Sequence, residues 1–208
     1  MSKADDGMVA IKLDMEQAYD SMCWKTLHKM LGILGFPKQF MDLVMECIME
    51  PRYAISINGG ISNWIEGKSG FHQGCPLSPF LFIICSQLLS NGFFSEGQDH
   101  GIRIAPNTQR ISHLLYAEDV LLFSDAKVKS IKKVKNILVD YCAWTGLSLN
   151  TQKSALIFNK SVNIRRRKKI VRLLEIKQVE EMEYLGTKFA LRKLKKTDFK
   201  GLLDHEDT

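Results

Sequence analysis

Hydrophobic and polar positions change period several times along the chain, and each change marks an element. Met8-Val9-Ala10-Ile11-Lys12-Leu13 is a short apolar run that ends at Asp14, which predicts a buried strand over Val9–Leu13. Asp20–Leu34 has helical character and stops at Gly35, with Asp20 as a possible cap. Pro37 suits a first helical position, and Phe40, Leu43, Val44, Cys47 and Ile48 then recur at helical spacing on one predicted face. Tyr53, Ile55 and Ile57 alternate, Asn58-Gly59-Gly60 turns the chain, and Ile61–Ile65 returns, which is a hairpin signal.

Ser69 to Ser95 contains no Asp, Glu, Lys or Arg, yet its continuous apolar run is only Phe80–Cys85. A membrane span needs roughly 20 such residues. The reading is instead a loop over His72–Pro79 and then a buried, all-round apolar helix, capped by Ser78, opened by Pro79 and reaching about Phe93. Ile111–Tyr116 and Val120–Phe123 are two β-type runs joined by Ala117-Glu118-Asp119. Val128, Ile131, Val134, Leu138, Tyr141 and Cys142 form another helix face, ended by Gly146. Short strands are expected at Ala155–Phe158 and Tyr184–Thr187. Arg165–Lys169 reads as a solvated basic helix face, with phosphate contact as the alternative. Past Phe189 the pattern decays, and 190–208 is expected to be a loose charged tail. Hairpins interleaved with helices give an α+β class, not a doubly wound parallel sheet.

Composition adds limits. The 208 residues fit one large domain or one and a half, and 45% hydrophobic with 25% charged residues argues against wholesale disorder. A net charge of +6 and a pI near 9.0 permit a nucleic-acid partner. Five cysteines without metal-type spacing, and an N-terminus without an apolar h-region, read as reduced thiols in an intracellular protein that is not secreted.

The chemistry lies in the acids. Asp14 ends an apolar strand, and Glu118 and Asp119 sit between two more. A carboxylate set against buried strands is costly unless paired, hydrogen-bonded or metal-bound. Each acid taken alone reads as a strand-end or turn residue; the three together point to a hard-cation site. His72 and His113 have no partner spacing that would make them ligands.

Five segments occur in one order: KLDMEQAYD (Lys12–Asp20), HQGCPLSP (His72–Pro79), YAEDVLLF (Tyr116–Phe123), GLSLNTQKS (Gly146–Ser154) and YLG (Tyr184–Gly186). They resemble the successive palm motifs of reverse transcriptases, and most of all those of LINE-type (non-LTR) retrotransposons of the plant-like group. The resemblance implies a polymerase palm over 1–189, with an antiparallel sheet packed on helices. It also implies an RNA-directed DNA polymerase (a nucleotidyltransferase) acting on an RNA template, a DNA primer and deoxynucleoside triphosphates with two Mg²⁺ ions, or Mn²⁺, in the nucleus or cytoplasm and without a membrane. By the same resemblance Asp14, Glu118 and Asp119 are the catalytic metal ligands. Tyr19 is the steric gate under the incoming sugar, Gln73 and Gly74 contact nucleotide and template, and Lys153 is a proton donor to pyrophosphate. Tyr184-Leu185-Gly186 is the primer-grip hairpin.

The chain departs from the family pattern at Glu118, where Asp is usual, and at Cys75, also usually Asp. One added methylene gives about 1.5 Å of extra reach, against a cation that wants near-ideal octahedral oxygen geometry. The palm motifs begin near the first residue, so fingers and thumb are expected to be largely missing and activity weak. Two alternatives stand beside the polymerase: an inactive remnant that keeps at most nucleic-acid binding, and a telomerase- or intron-maturase-like relative.

Overall fold

The computed structural model describes residues 7–95, 101–102 and 108–190. The expected tail lies outside the described residues, except for Ala190. The elements run β1 (Met8–Glu16), α1 (Trp24–Ile33), α2 (Lys38–Ile48), β2 (Arg52–Tyr53), β3 (Ser56–Ile57), β4 (Gly60–Ile61), β5 (Ile65–Glu66) and α3 (Ser78–Ser95). They continue with β6 (His113–Tyr116), β7 (Asp119–Asp125), α4 (Val128–Thr145), β8 (Ser148–Leu149), β9 (Ala155–Phe158), α5 (Ile164–Leu174), β10 (Lys177–Gln178), β11 (Glu181–Tyr184) and β12 (Thr187–Ala190). The class is α+β with antiparallel pairing dominant. By internal contacts the chain forms two compact units, one from stretches within 7–16, 89–139 and 149–190, the other from 17–88 and 140–148.

The first unit is built on a sheet of order β10-β9-β1-β7-β6, with β8 also beside β1. β1 is central and antiparallel to both β7 and β9. Its residues alternate in burial, with Val9, Ile11, Leu13 and Met15 inside. Leu156 and Phe158 of β9 share that face by register. The opposite face carries Ala10, Lys12 and Asp14, aligned with Phe123, Leu121 and Asp119 of β7 and, for the first two, with Ile157 and Ala155 of β9. Leu121, Phe123, Ala155 and Ile157 pack there with Met182 and Tyr184 of the β11–β12 hairpin. That hairpin closes through Leu185 (φ 50°) and Gly186 (φ 72°), a two-residue turn with both residues left-handed. The strand expected over Tyr184–Thr187 is therefore corrected: those residues are the turn and its two flanking positions.

The second unit packs α1 on α2, with Leu27, Met30 and Leu31 buried on one helix and Met41, Val44, Met45 and Ile48 on the other. The expected α2 face shifts by one position. Phe40, Leu43 and Cys47 are exposed, because Met41 and Met45 fill the inward stripe. α1 starts at Trp24 with Cys23 as its cap residue, and Asp20 does not cap it. Asp20 belongs instead to the turn that follows β1, its N–H donating to the Gln17 carbonyl. The hairpin at Asn58-Gly59 forms as expected, with both residues left-handed.

α3 is an 18-residue helix, long and apolar enough by composition to cross a membrane. Its burial is one-sided, which corrects the expectation of an all-round buried helix. Leu81, Phe82, Cys85, Leu89 and Phe93 are inside, whereas Phe80 and Ile83 are 66% and 62% exposed. Phe80, Ile83, Gln87, Asn91 and Phe94 form the outward stripe at helical spacing.

Candidate active site

Asp14 and Asp119 face each other across β1 and β7. The Met15 N–H donates to the Glu118 carbonyl at 3.3 Å, one position beyond that pair. This makes Asp14–Asp119 a non-hydrogen-bonded pair, the kind in which facing side chains come closest, with Cβ atoms about 4.5–5.5 Å apart. Both carboxylates are half-buried on one sheet face. The Asp14 backbone is fixed from the other side. Its N–H donates to Ser154 Oγ at 3.2 Å, and its carbonyl accepts the Asn150 N–H at 2.9 Å. Ser154 in turn donates to the Asn150 carbonyl at 2.7 Å.

Two like charges directly opposite destabilise a sheet. Lys12 offsets part of this charge: its Nζ lies 3.4 Å from Asp119 Oδ1. Glu118 is exposed on the two-residue turn with Ala117, whose φ is 48°. Among the described residues, no three His, Cys, Asp or Glu groups converge closely enough to hold a metal ion. The donor set on this face is two facing carboxylates. Their chemistry fits a hard divalent cation, with Glu118 on the adjoining turn rather than in the pair.

Tyr184 lies on the same side of the sheet. Burial raises its phenol pKa above the ordinary value, and the negative charge of Asp119 raises it further. The β11–β12 hairpin is thus close enough to the acidic pair to feel its field. Lys153 is exposed in the turn before β9, where its N–H and that of Gln152 donate to Asn150 Oδ1 at 3.1 and 3.2 Å.

The second unit holds the remaining candidates. Tyr19 stacks on Phe82 of α3, with ring centroids 5.0 Å apart. Gln73 donates to both carboxylate oxygens of Asp20, at 3.1 and 3.2 Å. Gly70, three residues earlier, has φ 87°, and a Cβ there would fall 2.4 Å from the Asp20 carbonyl oxygen. Only glycine lets the loop approach so closely. Gly74 also has φ 87° but points its missing side chain into open space. Asp20, Tyr53, His72, Gln73 and Cys75 line a cavity of about 490 Å³.

The reverse transcriptase (RNA-dependent DNA polymerase) family profile matches residues 1–189. The chain belongs to this family. It is 28% identical over 157 residues to the Pol polyprotein of the type-1 retrotransposable element R2 of Popillia japonica, covering 74% of this chain and 25% of that one. It is 28% identical over 142 residues to the R2DM Pol polyprotein of Drosophila melanogaster, covering 68% and 13%. Over a shorter stretch of 67 residues it is 43% identical to an uncharacterized mitochondrial protein of Arabidopsis thaliana, covering 30% and 54%. The chain spans about a quarter or less of the R2 polyproteins, which agrees with a reverse transcriptase domain of the non-LTR retrotransposon kind. Apo telomerase from Candida tropicalis, truncated from its C-terminal domain, superposes with a TM-score of 0.63 at 17% identity, covering 89% of this chain and 34% of that one. Candida albicans telomerase in complex with a fragment of telomeric RNA gives 0.61 at 15%, covering 88% and 29%. These two likenesses establish the fold.

Within this reverse transcriptase domain the structure brings Asp14 and Asp119 together and sets Tyr184 near them. Four participants escaped the sequence reading. Lys12 stands two residues before Asp14, so the period of a strand already put it on the same face. Asp20 looked like a cap and is instead the partner of Gln73. Ser154 and Asn150 anchor Asp14 from a distant turn, and nothing in the local sequence signals that pairing.

Proposed function

We propose that this chain is the palm of an RNA-directed DNA polymerase that joins a deoxynucleoside triphosphate to a primer 3′-hydroxyl on an RNA template. The observation that carries the reading is the Asp14–Asp119 pair, two carboxylates on adjacent central strands of a reverse transcriptase family member. In the reaction the 3′-oxygen forms a bond to the α-phosphorus as the bond to pyrophosphate breaks. The primer hydroxyl proton passes to solvent water, and the leaving pyrophosphate takes up a proton.

Asp14 and Asp119 are the residues that would hold Mg²⁺, with Glu118 as an outer ligand. Bound divalent cations lower the pKa of the attacking hydroxyl and neutralise charge on the leaving oxygen. The chain's own residues supply the rest. Lys153 donates the proton to pyrophosphate. Tyr19, braced by Phe82, is the wall against a 2′-hydroxyl. Gln73, held by Asp20, and Gly74 present the loop that meets nucleotide and template. Tyr184, Leu185 and Gly186 hold the primer end over the acidic pair. The domain spans 1–189 and works inside the cell.

Extension of a DNA primer on an RNA template in Mg²⁺, compared between the wild-type chain and Asp14→Asn, tests this reading. Loss of product in the variant supports it. A second reading, a binding-only remnant, is favoured by one observation: Glu118 is exposed on its turn while Asp14 and Asp119 pair without it. RNA binding without any Asp14-dependent extension decides for that reading.

A further inference from the structure

We propose that α5 is a second nucleic-acid surface, one that binds the phosphate backbone of RNA on the side of the sheet opposite the acidic pair. The inference rests on the reverse transcriptase reading only in naming RNA as the nucleic acid; the surface itself is argued from α5.

The position of α5 follows from register. Asp14, Lys12 and Ala10 share a face with Ala155 and Ile157, so Leu156 and Phe158 point the other way. The Arg167 guanidinium lies over the Phe158 ring, 5.8 Å from its centroid, which puts α5 on that opposite face. α5 connects the parallel strands β9 and β10 and turns Ile170 and Leu174 inward. Arg165, Lys168, Lys169 and Arg172 are exposed. They recur at i, i+3, i+4 and i+7, a single stripe about 10 Å long.

Nothing in the helix balances this charge. α5 contains no acidic residue, and among the described residues none of the four stripe cations has an ion pair. Glu175, at the left-handed C-terminal cap, pairs instead with Lys135 of α4, which also donates to the Leu173 carbonyl. Like charges at this spacing repel.

Arg165 and Arg166 moreover stand in the first turn, where the helix dipole disfavours cations. A sequence selected only for helix stability would put acids there. A cleft of about 720 Å³ opens at the same end, lined by Lys160, Asn163, Ile164, Arg165 and Arg167. Backbone N–H groups of a first helical turn and flanking cations together attract phosphate.

The partner class follows from what the stripe lacks. A helix that lies in a membrane surface needs a broad exposed apolar or aromatic flank; Ile170 and Leu174 are buried, and Ile164 at the first turn, 69% exposed, is a single apolar side chain beside the cleft. Protein interfaces deplete lysine. A row of exposed lysines and arginines with an open cleft at one end suits a chain of phosphates.

The test is binding of a hairpin RNA of unrelated sequence to the full chain across a salt series, for the wild type and for Arg165→Gln/Lys168→Gln/Lys169→Gln/Arg172→Gln. Each lost phosphate contact lowers the log–log salt slope by roughly 0.7–0.9, so the quadruple variant should lose about three units and bind tenfold or more weakly at low salt. Circular dichroism should show the helix retained, since removal of its repulsions does not weaken it. Asp14-dependent primer extension, measured separately from RNA binding, keeps a failure of the polymerase reading apart from a failure of this surface. An unaltered slope in the quadruple variant overturns the proposal. So does stripe-dependent capture of anionic lipid vesicles alongside unaffected RNA binding.

Discussion

Lys12 reaches Asp119 from β1 to β7, Nζ 3.4 Å from Oδ1, on the strand face that also carries Asp14. The ammonium neutralises part of a pair of like charges that the strand register forces together. Both side chains of the ion pair are less than a third exposed, so screening by water is incomplete.

Lys12→Met should therefore destabilise the protein by about 1 kcal/mol in chelator. Millimolar Mn²⁺ or Mg²⁺ should raise the melting temperature of the variant more than that of the wild type, because the cation no longer competes with an ammonium. Thermal unfolding with and without divalent ions measures both effects. A variant that gains nothing from divalent cations would show that Lys12 does not contend for their site.

Ala117 opens the turn between β6 and β7 with φ 48°, a left-handed conformation that a Cβ disfavours by about 1 kcal/mol. Ala117→Gly should relieve that strain, offset in part by the greater freedom of the unfolded chain. Urea unfolding should show a net gain of about 0.5 kcal/mol. A loss would indicate that the alanine methyl makes a contact worth more than the strain.

His113 is held neutral by burial, which lowers its pKa below the ordinary histidine value. Its Nδ1 and Nε2 lie 2.8 and 3.0 Å from the hydroxyls of Ser112 and Ser90, and Phe93 and Phe94 pack on its ring. A depressed folded-state pKa favours the unfolded state once the unfolded histidine begins to protonate. This contribution to stability is present in full above about pH 6.5 and is lost as the pH falls from there toward the folded pKa. Stability curves of wild type and His113→Gln between pH 8 and pH 5 should diverge, with the steeper acid loss in the wild type. Parallel curves would count against a neutral, half-buried His113.

Asp14 and Asp119 were legible as strand-end residues because Asp14 closes one apolar run and Asp119 opens another. The Asn58-Gly59 turn was legible because few dipeptides accept two left-handed residues. Leu185-Gly186 makes the same kind of turn, but Leu185 gives no such signal: the family resemblance implied a hairpin at Tyr184–Gly186, whereas the apolar pattern alone read Tyr184–Thr187 as a strand. The inward face of α2 was misplaced because methionine and phenylalanine are equally apolar, and only the packing of α1 selects Met41 and Met45 over Phe40. The outward stripe of α3 was hidden for a related reason: its uncharged sequence gives periodicity nothing to detect. Lys12, Ser154 and Asn150 depend on strand register and on a turn far along the chain, which no local pattern encodes.

The central claim is that Asp14 and Asp119 carry nucleotidyl transfer and that Glu118 limits it. The direct measurement is Mg²⁺-dependent primer extension on an RNA template by the wild-type chain, by Glu118→Asp, and by Glu118→Asp combined with Asp14→Asn. Extension should rise about tenfold on Glu118→Asp, equivalent to about 1.4 kcal/mol of barrier, and should disappear when Asp14→Asn is added. Extension that survives Asp14→Asn, or none at all with Asp14 intact and Glu118 shortened, would contradict the assignment.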